Sequence, residues 1–218
     1  MSHHEFKETL GLKLLEKLPG MNAHLKLAPF PGRLNEEPGP DHKVAAVLIT
    51  LMPNEQGDII FPLIQRNPSS EHDPHKGQIA LPGGRMEDGD SNLAFTALRE
   101  TEEEIGLKSS QIQIVGALTP LFIPVSQNVV HPFVGWYSGP IDFVRQEEEI
   151  FEIIPCSLNS LLDEQIFKSR IINTSYASNL KVPGLQIADR WIWGATGMIL
   201  TEFTEILKDI NWFGKPTF

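Results

Sequence analysis

The 218-residue chain is 41% hydrophobic and 21% charged, which fits an ordinary globular protein of one domain with an extension, or a small pair of domains. Its net charge of −10 argues against non-specific nucleic-acid binding, and no apolar run approaches the roughly 18 residues that span a bilayer. The single cysteine excludes an internal disulfide, and the N-terminus lacks a secretory signal. We therefore expect a cytoplasmic protein without nucleic-acid or membrane partners.

The first third of the chain predicts one helix, a loop and two paired strands. Apolar residues recur near a 3.6-residue spacing in the N-terminal segment, and Pro19-Gly20 ends that pattern. A stretch rich in proline, glycine and charge follows, and then two apolar runs separated by a turn. The predicted elements are a helix over 5–18, a loop over 28–42, and strands over 44–51 and 59–65.

The remainder of the chain predicts further strands and two helices around the acidic segment described below. Pro132 places its strand at a sheet edge or a bulge, because proline cannot donate to a ladder. The single Cys156 is expected to be a half-buried small hydrophobe, and Trp191 and Trp193 to be core residues. Strands mixed with helices favour a layered α/β/α fold. The predicted strands are 111–118, 129–137, 149–154, 166–172 and 191–193, and the predicted helices are 158–162 and 195–207.

Three glutamates near the end of a predicted helix, closed by Gly106, are the main candidate for a metal site. Glu100, Glu103 and Glu104 stand at i, i+3 and i+4, so their side chains share one helix face and repel one another. A solvated acidic helix end explains them poorly, because acidic residues there oppose the helix dipole. Hard divalent cations prefer oxygen ligands, so we expect Mg²⁺ or Mn²⁺ on this face. Glu100 and Glu104 are the expected direct ligands, with Glu103 a third or water-mediated ligand.

The glycines before this helix and the arginine within it complete the predicted site. Gly83 and Gly84 allow the backbone to approach a metal or phosphates, although a simple tight turn is the alternative. Arg99 stands four residues before Glu103, so we expect it to orient that carboxylate rather than contact substrate.

Residues 83–107 resemble the signature of the Nudix hydrolases, in which Gly, five residues, Glu and seven residues precede Arg-Glu-aliphatic-x-Glu-Glu-x-Gly-aliphatic. The second half of the signature matches from Arg99 to Leu107, except that Thr101 replaces an aliphatic residue. In the first half, fourteen residues separate Gly84 from Arg99, one more than the pattern has. The early glutamate position then falls on Ser91, and the candidate substitutes are Glu87, Asp88 and Asp90. The resemblance implies an α/β/α sandwich with a mixed sheet, a loop–helix–loop signature and metal-dependent hydrolysis.

Two further segments resemble the coenzyme A pyrophosphatase branch of that superfamily. Arg66 after a strand, the run from His75 to Gly84 and the run from Ile192 to Thr196 match its motifs, with Leu81 in place of phenylalanine. By this resemblance Arg66, His75 and Lys76 hold the diphosphate or the 3′-phosphate of the ADP portion. Gln78 is either a ligand or a strand-ladder residue, and an ordinary surface loop is the alternative for Lys76.

The general base is left between two regions. In the superfamily it varies between a signature glutamate and a carboxylate on a distant loop. The acidic run Glu147–Glu149 with Glu152 lies in the second region, although charge runs are usually a solvated strand edge. Glu149 is favoured there because it directly precedes an apolar run, and Glu100 is an equal candidate.

The sequence therefore predicts hydrolysis of coenzyme A or acyl-coenzyme A to 3′,5′-ADP and 4′-phosphopantetheine or its acyl form. The alternatives are another substrate, namely ADP-ribose, NADH or an oxidised nucleoside triphosphate, or a Nudix-fold sensor that binds a nucleotide without cleaving it. We expect an N-terminal helix and connecting loop over 1–40 and the hydrolase domain over 41–218. The protein is expected to be a monomer or a homodimer.

Overall fold

The computed structural model describes residues 1–29, 32–70, 73–172 and 179–212. The first helix begins with a capping box in which Ser2 and Glu5 bond each other's backbone amides. Its buried stripe is Phe6, Leu10 and Leu14, whereas Leu15 is 83% exposed. The predicted extent of 5–18 was therefore too long, because the apolar face stops at Leu14. The helices are α1 (His3–Leu14), α2 (Met21–His24), α3 (Leu93–Ile105) and α4 (Gly194–Asp209).

The strands form two sheets that are separate along the chain. The larger sheet takes β1 (Lys43–Pro53), β2 (Ile59–Arg66), β3 (Ile79–Ala80), β4 (Gly83–Arg85), β5 (Ile112–Ala117), β6 (Leu121–Ile123), β7 (Asn128–Tyr137) and β8 (Ile150–Ser157). The smaller sheet takes β9 (Phe167–Ile172), β10 (Leu180–Ile187) and β11 (Arg190–Trp193). The predicted loop over 28–42 contains a 3₁₀ turn at Arg33–Asn35, and its residues 30 and 31 lie outside the described part of the chain.

The larger sheet is mixed, as expected. Strand β1 runs parallel to β7 and antiparallel to β2 and β4. Its pairing with β2 covers only the Met52–Pro53 end, and β4 pairs with β1 at Ala45–Val47 instead. The short β3–β4 segment thus enters the sheet where β1 and β2 separate. This entry point places Gly83 and Gly84 inside the sheet rather than on its rim.

Alternate residues of β1 supply two hydrophobic cores, one on each face of the sheet. Ala45, Ile49 and Leu51 pack in the core that also contains residues of α1 and α4. Ala46, Leu48 and Met52 pack with residues of α3 on the other face. The fold is therefore an α/β/α sandwich, and α1 packs on its own chain. The predicted core residues of α4 are buried: Met198, Ile199, Phe203 and Leu207.

Three predictions about individual residues need correction. Strand β7 lies between β1 and β5, so Pro132 is not at a sheet edge, whereas the predicted alternative, a bulge, occurs in the β5–β7 pairing between Ile114 and Gly116. Its carbonyl accepts from the Leu118 amide, in the gap where β5 gives way to β6 as the partner of β7. Strand β8 continues through Pro155, and Cys156 is buried rather than half-buried, which raises the pKa of its thiol to about 12. Trp191 and Trp193 are half-buried on β11 rather than core residues.

A fully buried carboxylate ties the N-terminal segment to the sandwich. Glu202 of α4 accepts from the His24 ring at 3.0 Å and from the Gly20 amide at 3.0 Å. It also accepts from the Thr119 amide at 3.2 Å and the Thr119 hydroxyl at 2.6 Å. Burial alone raises a carboxyl pKa, but these hydrogen bonds outweigh it and lower the pKa of Glu202. No helix among the described residues is long and apolar enough to cross a membrane.

Candidate active site

Helix α3 brings the three signature glutamates to the glycine turn. It starts at Asn92, whose side chain accepts from the Phe95 amide, and it ends at Gly106 with φ of 78°. The predicted helix end at Gly106 is therefore confirmed. Ala97 and Ile105 are buried against the sheet, so the helix is held along its length. The glutamates occupy its last two turns, beside β4.

Gly83 is required by its backbone conformation and by close backbone contacts, and Gly84 leaves room for the Glu100 side chain. A Cβ on Gly83 would lie 2.2 Å from the Ala46 carbonyl oxygen, and Gly83 has φ of 148°. A Cβ on Gly84 would lie 2.3 Å from Oε1 of Glu100. The space that a side chain would fill is thus the space into which the Glu100 carboxylate projects. A simple tight turn would need neither contact.

Glu104 is the most buried carboxylate of the group, with 2% of the residue exposed. Its Oε2 accepts from the Gly83 amide at 2.8 Å, and its Oε1 lies 3.8 Å from Nη1 of Arg66. Burial is the largest influence and raises the pKa of Glu104 to about 8, against the opposing effects of Gly83 and Arg66. The carboxylate is short of positive charge.

Glu100 also has too little positive charge nearby to offset its burial, although to a smaller degree than Glu104. Burial raises its pKa, although Arg99 lies 3.1 Å away and opposes the shift. Glu103 projects outward, with 57% of its side chain exposed, and accepts from Arg99 at 3.0 Å. The expected contact between Arg99 and Glu103 is therefore present, and Glu103 is turned away from the Gly83 amide that Glu104 binds.

Arg99 joins the helix to the loop before it through Asp90. Its guanidinium donates to both oxygens of Asp90, at 2.9 and 3.0 Å, and to the Arg85 carbonyl at 3.1 Å. The hydrogen bonds from Arg99 hold the pKa of Asp90 far below its ordinary range. The Glu87 amide and the Thr96 hydroxyl complete the partners of Asp90.

Of the three candidate substitutes for the early signature glutamate, Asp90 is the one that pairs with Arg99. Counting back from Arg99 places that position on Ser91, but five residues lie between Gly84 and Asp90, which is the spacing of the signature. The extra residue therefore lies between Asp90 and Arg99. Counting forward from the glycine would have identified it from the sequence.

The predicted substrate-binding residues lie on the other side of the glycine turn. Arg66 pairs with Asp73, a residue that the sequence did not single out, and Asp73 also accepts from the His75 amide at 2.8 Å. Burial is the largest influence on His75 and lowers its pKa. The Gln78 carbonyl accepts from the Arg66 amide at 3.0 Å, which is the ladder contact that was one of its two interpretations. Lys76 is exposed.

The acidic run after β7 divides into separate groups. Nη2 of Arg190 donates to both carboxylate oxygens of Glu152, at 3.0 and 2.7 Å, and Glu147 pairs with Arg145. Glu149 is exposed, and its charge adds to the burial that raises the pKa of Glu100 and of Glu104. Among the candidates for a distant base, Glu149 is the one that acts electrostatically on the α3 glutamates.

The donor set suits a hard divalent cation. Within the described residues no three His, Cys, Asp or Glu side chains converge closely enough to hold a metal ion, because Glu103 turns to Arg99. Glu100 and Glu104 nevertheless present carboxylate oxygens on one helix stripe against the glycine backbone. Burial raises the pKa of each despite the nearby arginines, and a divalent ion would favour the charged form of both carboxylates.

Comparison with known proteins agrees with this arrangement. The protein named "Uncharacterized Nudix hydrolase NudL" from Yersinia pestis (strain Pestoides F) is 31% identical over 131 residues, 60% of this chain and 65% of that protein. The same figures hold for its namesake from Yersinia pseudotuberculosis serotype O:1b (strain IP 31758). The match thus spans less than two thirds of these relatives.

A solved structure of similar fold covers nearly the whole chain. The crystal structure of a MutT/nudix family protein from Enterococcus faecalis aligns with 96% of this chain and 74% of its own, at a TM-score of 0.51 and 14% identity. Such a low identity shows the fold alone. Residues 41–173, more than half of the chain, match the NUDIX domain. On that match, together with the glycine turn and the glutamate-bearing helix, the chain belongs to the NUDIX domain family.

Proposed function

We propose that the chain is a metal-dependent pyrophosphohydrolase that cleaves coenzyme A or acyl-coenzyme A to 3′,5′-ADP and 4′-phosphopantetheine or its acyl form. One observation carries the hydrolytic part of the proposal. Glu100 and Glu104 are desolvated side by side against the Gly83–Gly84 backbone, and their pKa values are raised by burial. Such carboxylates are costly unless a cation joins them.

The proposed roles follow from the positions of the side chains. Glu100 and Glu104 would hold Mg²⁺ or Mn²⁺, with Glu103 as a third ligand or through water. When bound, a divalent ion polarises phosphoryl oxygens and lowers the pKa of water. Arg99, fixed by Asp90, orients Glu103 and Glu100.

In the hydrolytic step, water attacks one phosphorus in line with the bridging oxygen. The new P–O bond forms as the bond from that phosphorus to the bridging oxygen breaks, giving two phosphomonoesters. Glu149 accepts the proton of the attacking water, and Glu100 is the alternative base. Glu149 is exposed, so its carboxylate can contact solvent and substrate.

Coenzyme A is favoured as substrate by the residues on the far side of the turn. Arg66 reaches toward Glu104 while Asp73 holds its guanidinium, so a cation is fixed beside the proposed phosphate position. His75 and the exposed Lys76 follow on the same segment. Three cationic or polar groups in sequence suit a substrate that carries a diphosphate and a separate phosphate.

A substrate panel tests the proposal directly. Coenzyme A, acetyl-coenzyme A, ADP-ribose, NADH and an oxidised nucleoside triphosphate are incubated with Mg²⁺ or Mn²⁺, and the products are separated by chromatography. We expect 3′,5′-ADP from the first two. Turnover of ADP-ribose with intact coenzyme A would refute the substrate. Equal background rates for the wild type and Glu104→Gln on every compound would instead support a nucleotide sensor.

The cellular location, the domain limits and the oligomeric state are proposed from fewer observations. The only cysteine, Cys156, is buried and forms no disulfide, which supports a cytoplasmic location. We propose residues 1–40 as an extension to a hydrolase domain over 41–218, in a monomer or homodimer. Light scattering of the full chain distinguishes the two assemblies.

A further inference from the structure

The segment that carries Glu149 is fastened to the end of α3. The Val144 amide donates to the Ile105 carbonyl at 3.0 Å, and the Gln146 amide donates to the Glu104 carbonyl at 3.1 Å. The last carbonyls of a helix need partners from outside it, and here the segment supplies them. A Cβ on Gly106 would lie 2.8 Å from Cβ of Val144, so the two backbones are in close contact.

Gln146 also bonds forward along the chain. Its carbonyl accepts from the Ile150 amide at 2.9 Å, and its Oε1 accepts from the Glu149 amide at 2.7 Å. A backbone amide can only donate, so the side-chain atom that faces it is the oxygen. One residue thus contacts the helix turn of Glu104 and the backbone of Glu149.

A second residue holds Glu149 from the sheet. Asn67, which follows β2, donates its amide to the Glu149 carbonyl at 2.8 Å and its Nδ2 to the Glu148 carbonyl at 3.0 Å. The amide and the carbonyl of Glu149 are therefore both bonded, one toward α3 and one toward β2. The exposed carboxylate extends from a backbone that is fixed on two sides.

We propose that Gln146 is a positioning residue that ties the backbone of Glu149 to the α3 turn of Glu104 and so sets where the Glu149 carboxylate stands in the hydrolytic reaction. The inference rests on the proposed function, with Glu149 as base. A loop carboxylate without such a tether would sample many positions, and misplacement by about 1 Å can cost on the order of 10²-fold in rate.

Kinetics of Gln146→Ala and of the similarly shaped Gln146→Met test the proposal. Both remove the acceptor for the Glu149 amide, while the backbone bond to Glu104 remains possible. We expect kcat to fall about tenfold with KM unchanged, because substrate contacts are intact. The matched control is Gln165→Ala, an exposed glutamine that follows β8 in the chain and has no proposed role in the site, which should keep wild-type kcat. Wild-type kcat in both Gln146 variants overturns the proposal.

A double-mutant cycle separates positioning from a general loosening of the helix. If Gln146 acts through Glu149, Gln146→Ala added to Glu149→Gln lowers kcat no further. An equal fall in both backgrounds overturns the proposal, because Gln146 would then act elsewhere. Full activity of Glu149→Gln overturns it as well, since Glu149 would not be the base.

Amide hydrogen exchange tests the tether without any turnover. In Gln146→Ala the Glu149 amide loses its acceptor, so its exchange should speed up by about tenfold or more, with amides of β1 unchanged. Unchanged exchange at Glu149 overturns the inference whatever the activity. A wild type that hydrolyses nothing in the panel would overturn the proposed function instead.

Discussion

Two buried glutamates in this fold have opposite surroundings. Glu202 has four hydrogen-bond donors from three residues, and its pKa is lowered although it is fully buried. Glu104 has one backbone donor and an arginine at 3.8 Å, and its pKa is raised to about 8. Both side chains are almost inaccessible to solvent, and the donors around Glu202 outweigh the effect of burial, whereas the fewer donors around Glu104 do not. A buried carboxylate with several hydrogen-bond donors stabilises the fold. One with few donors and little positive charge nearby is suited to binding a cationic ligand.

Glu104→Gln gives the largest expected effect on the catalytic side of this contrast. Losing the charge should lower kcat with Mg²⁺ by about a thousandfold, the upper range for removing one group that stabilises transition-state charge. The free energy of unfolding without metal should not fall, because glutamine can still accept from Gly83. Steady-state kinetics and urea unfolding measure both, and Glu8→Gln on α1 is the exposed control. A marked loss of stability would show that Glu104 is structural after all.

Glu202→Gln should behave in the opposite way. Breaking a buried charged network by removing one partner costs about 3 kcal/mol or more of unfolding free energy. The kcat of the folded fraction should be unchanged, because the residue lies between Gly20, His24 and Thr119. Urea unfolding gives the stability. Glu205→Gln, one turn along α4 and paired with the exposed Lys26, should cost at most about 1 kcal/mol. Equal losses of unfolding free energy in Glu202→Gln and Glu205→Gln would contradict the stabilising role of Glu202.

Gly84→Ala tests Glu100, the neighbour of Glu104 on α3. The new Cβ would meet the Glu100 carboxylate at 2.3 Å, so that side chain must move. We expect kcat to fall roughly tenfold, since displaced catalytic groups lose rate quickly. Gly89→Ala is the matched control in the same loop, because a Cβ there has nothing within 4 Å. Wild-type kinetics for Gly84→Ala would argue that Glu100 is not held against the turn.

The smallest effect is a pH dependence of stability. Because the pKa of Glu202 is lowered from the ordinary 4.5, its stabilisation is complete above that pH and is lost as the pH falls through the lower folded value. His24 is the titratable neighbour that faces it. The difference in unfolding free energy between wild type and Glu202→Gln should be constant near neutral pH and shrink below about pH 4.5. Urea titrations between pH 7 and 4 measure it, and a difference that grows on acidification contradicts the assignment.

The catalytic side could be predicted from the sequence because its residues are close together. Glu100, Glu103 and Glu104 lie within two helix turns, and their spacing alone places them on one stripe. The layered fold followed from strands mixed with helices, whereas the strand order around β1 was not predicted, because it depends on pairing between distant segments. Helix ends were less predictable, because the exposure of Leu15 depends on what the rest of the chain covers.

The hydrogen-bonded network around Glu202 could not be predicted in the same way. Glu202 and His24 are separated by 178 residues, and Glu202 and Thr119 by 83. Only the folded sheet brings them together, so no local pattern marks them. Asp73 and Gln146 escaped notice for a related reason. Each acts through backbone amides or a single arginine, which leaves no characteristic spacing of residue types.

The separation of β1 from β2 has a consequence for how such a chain can diverge. Strand β4 pairs directly with β1, so the position of Gly83 does not depend on the segment between β2 and β3. Asn67, at the start of the stretch between β2 and β3, holds the backbone of Glu149, so we expect only side chains beyond it to change without disturbing the proposed hydrolytic residues. Under the proposed roles, substrate choice would depend on this stretch and the cleavage chemistry on α3 and the glycine turn.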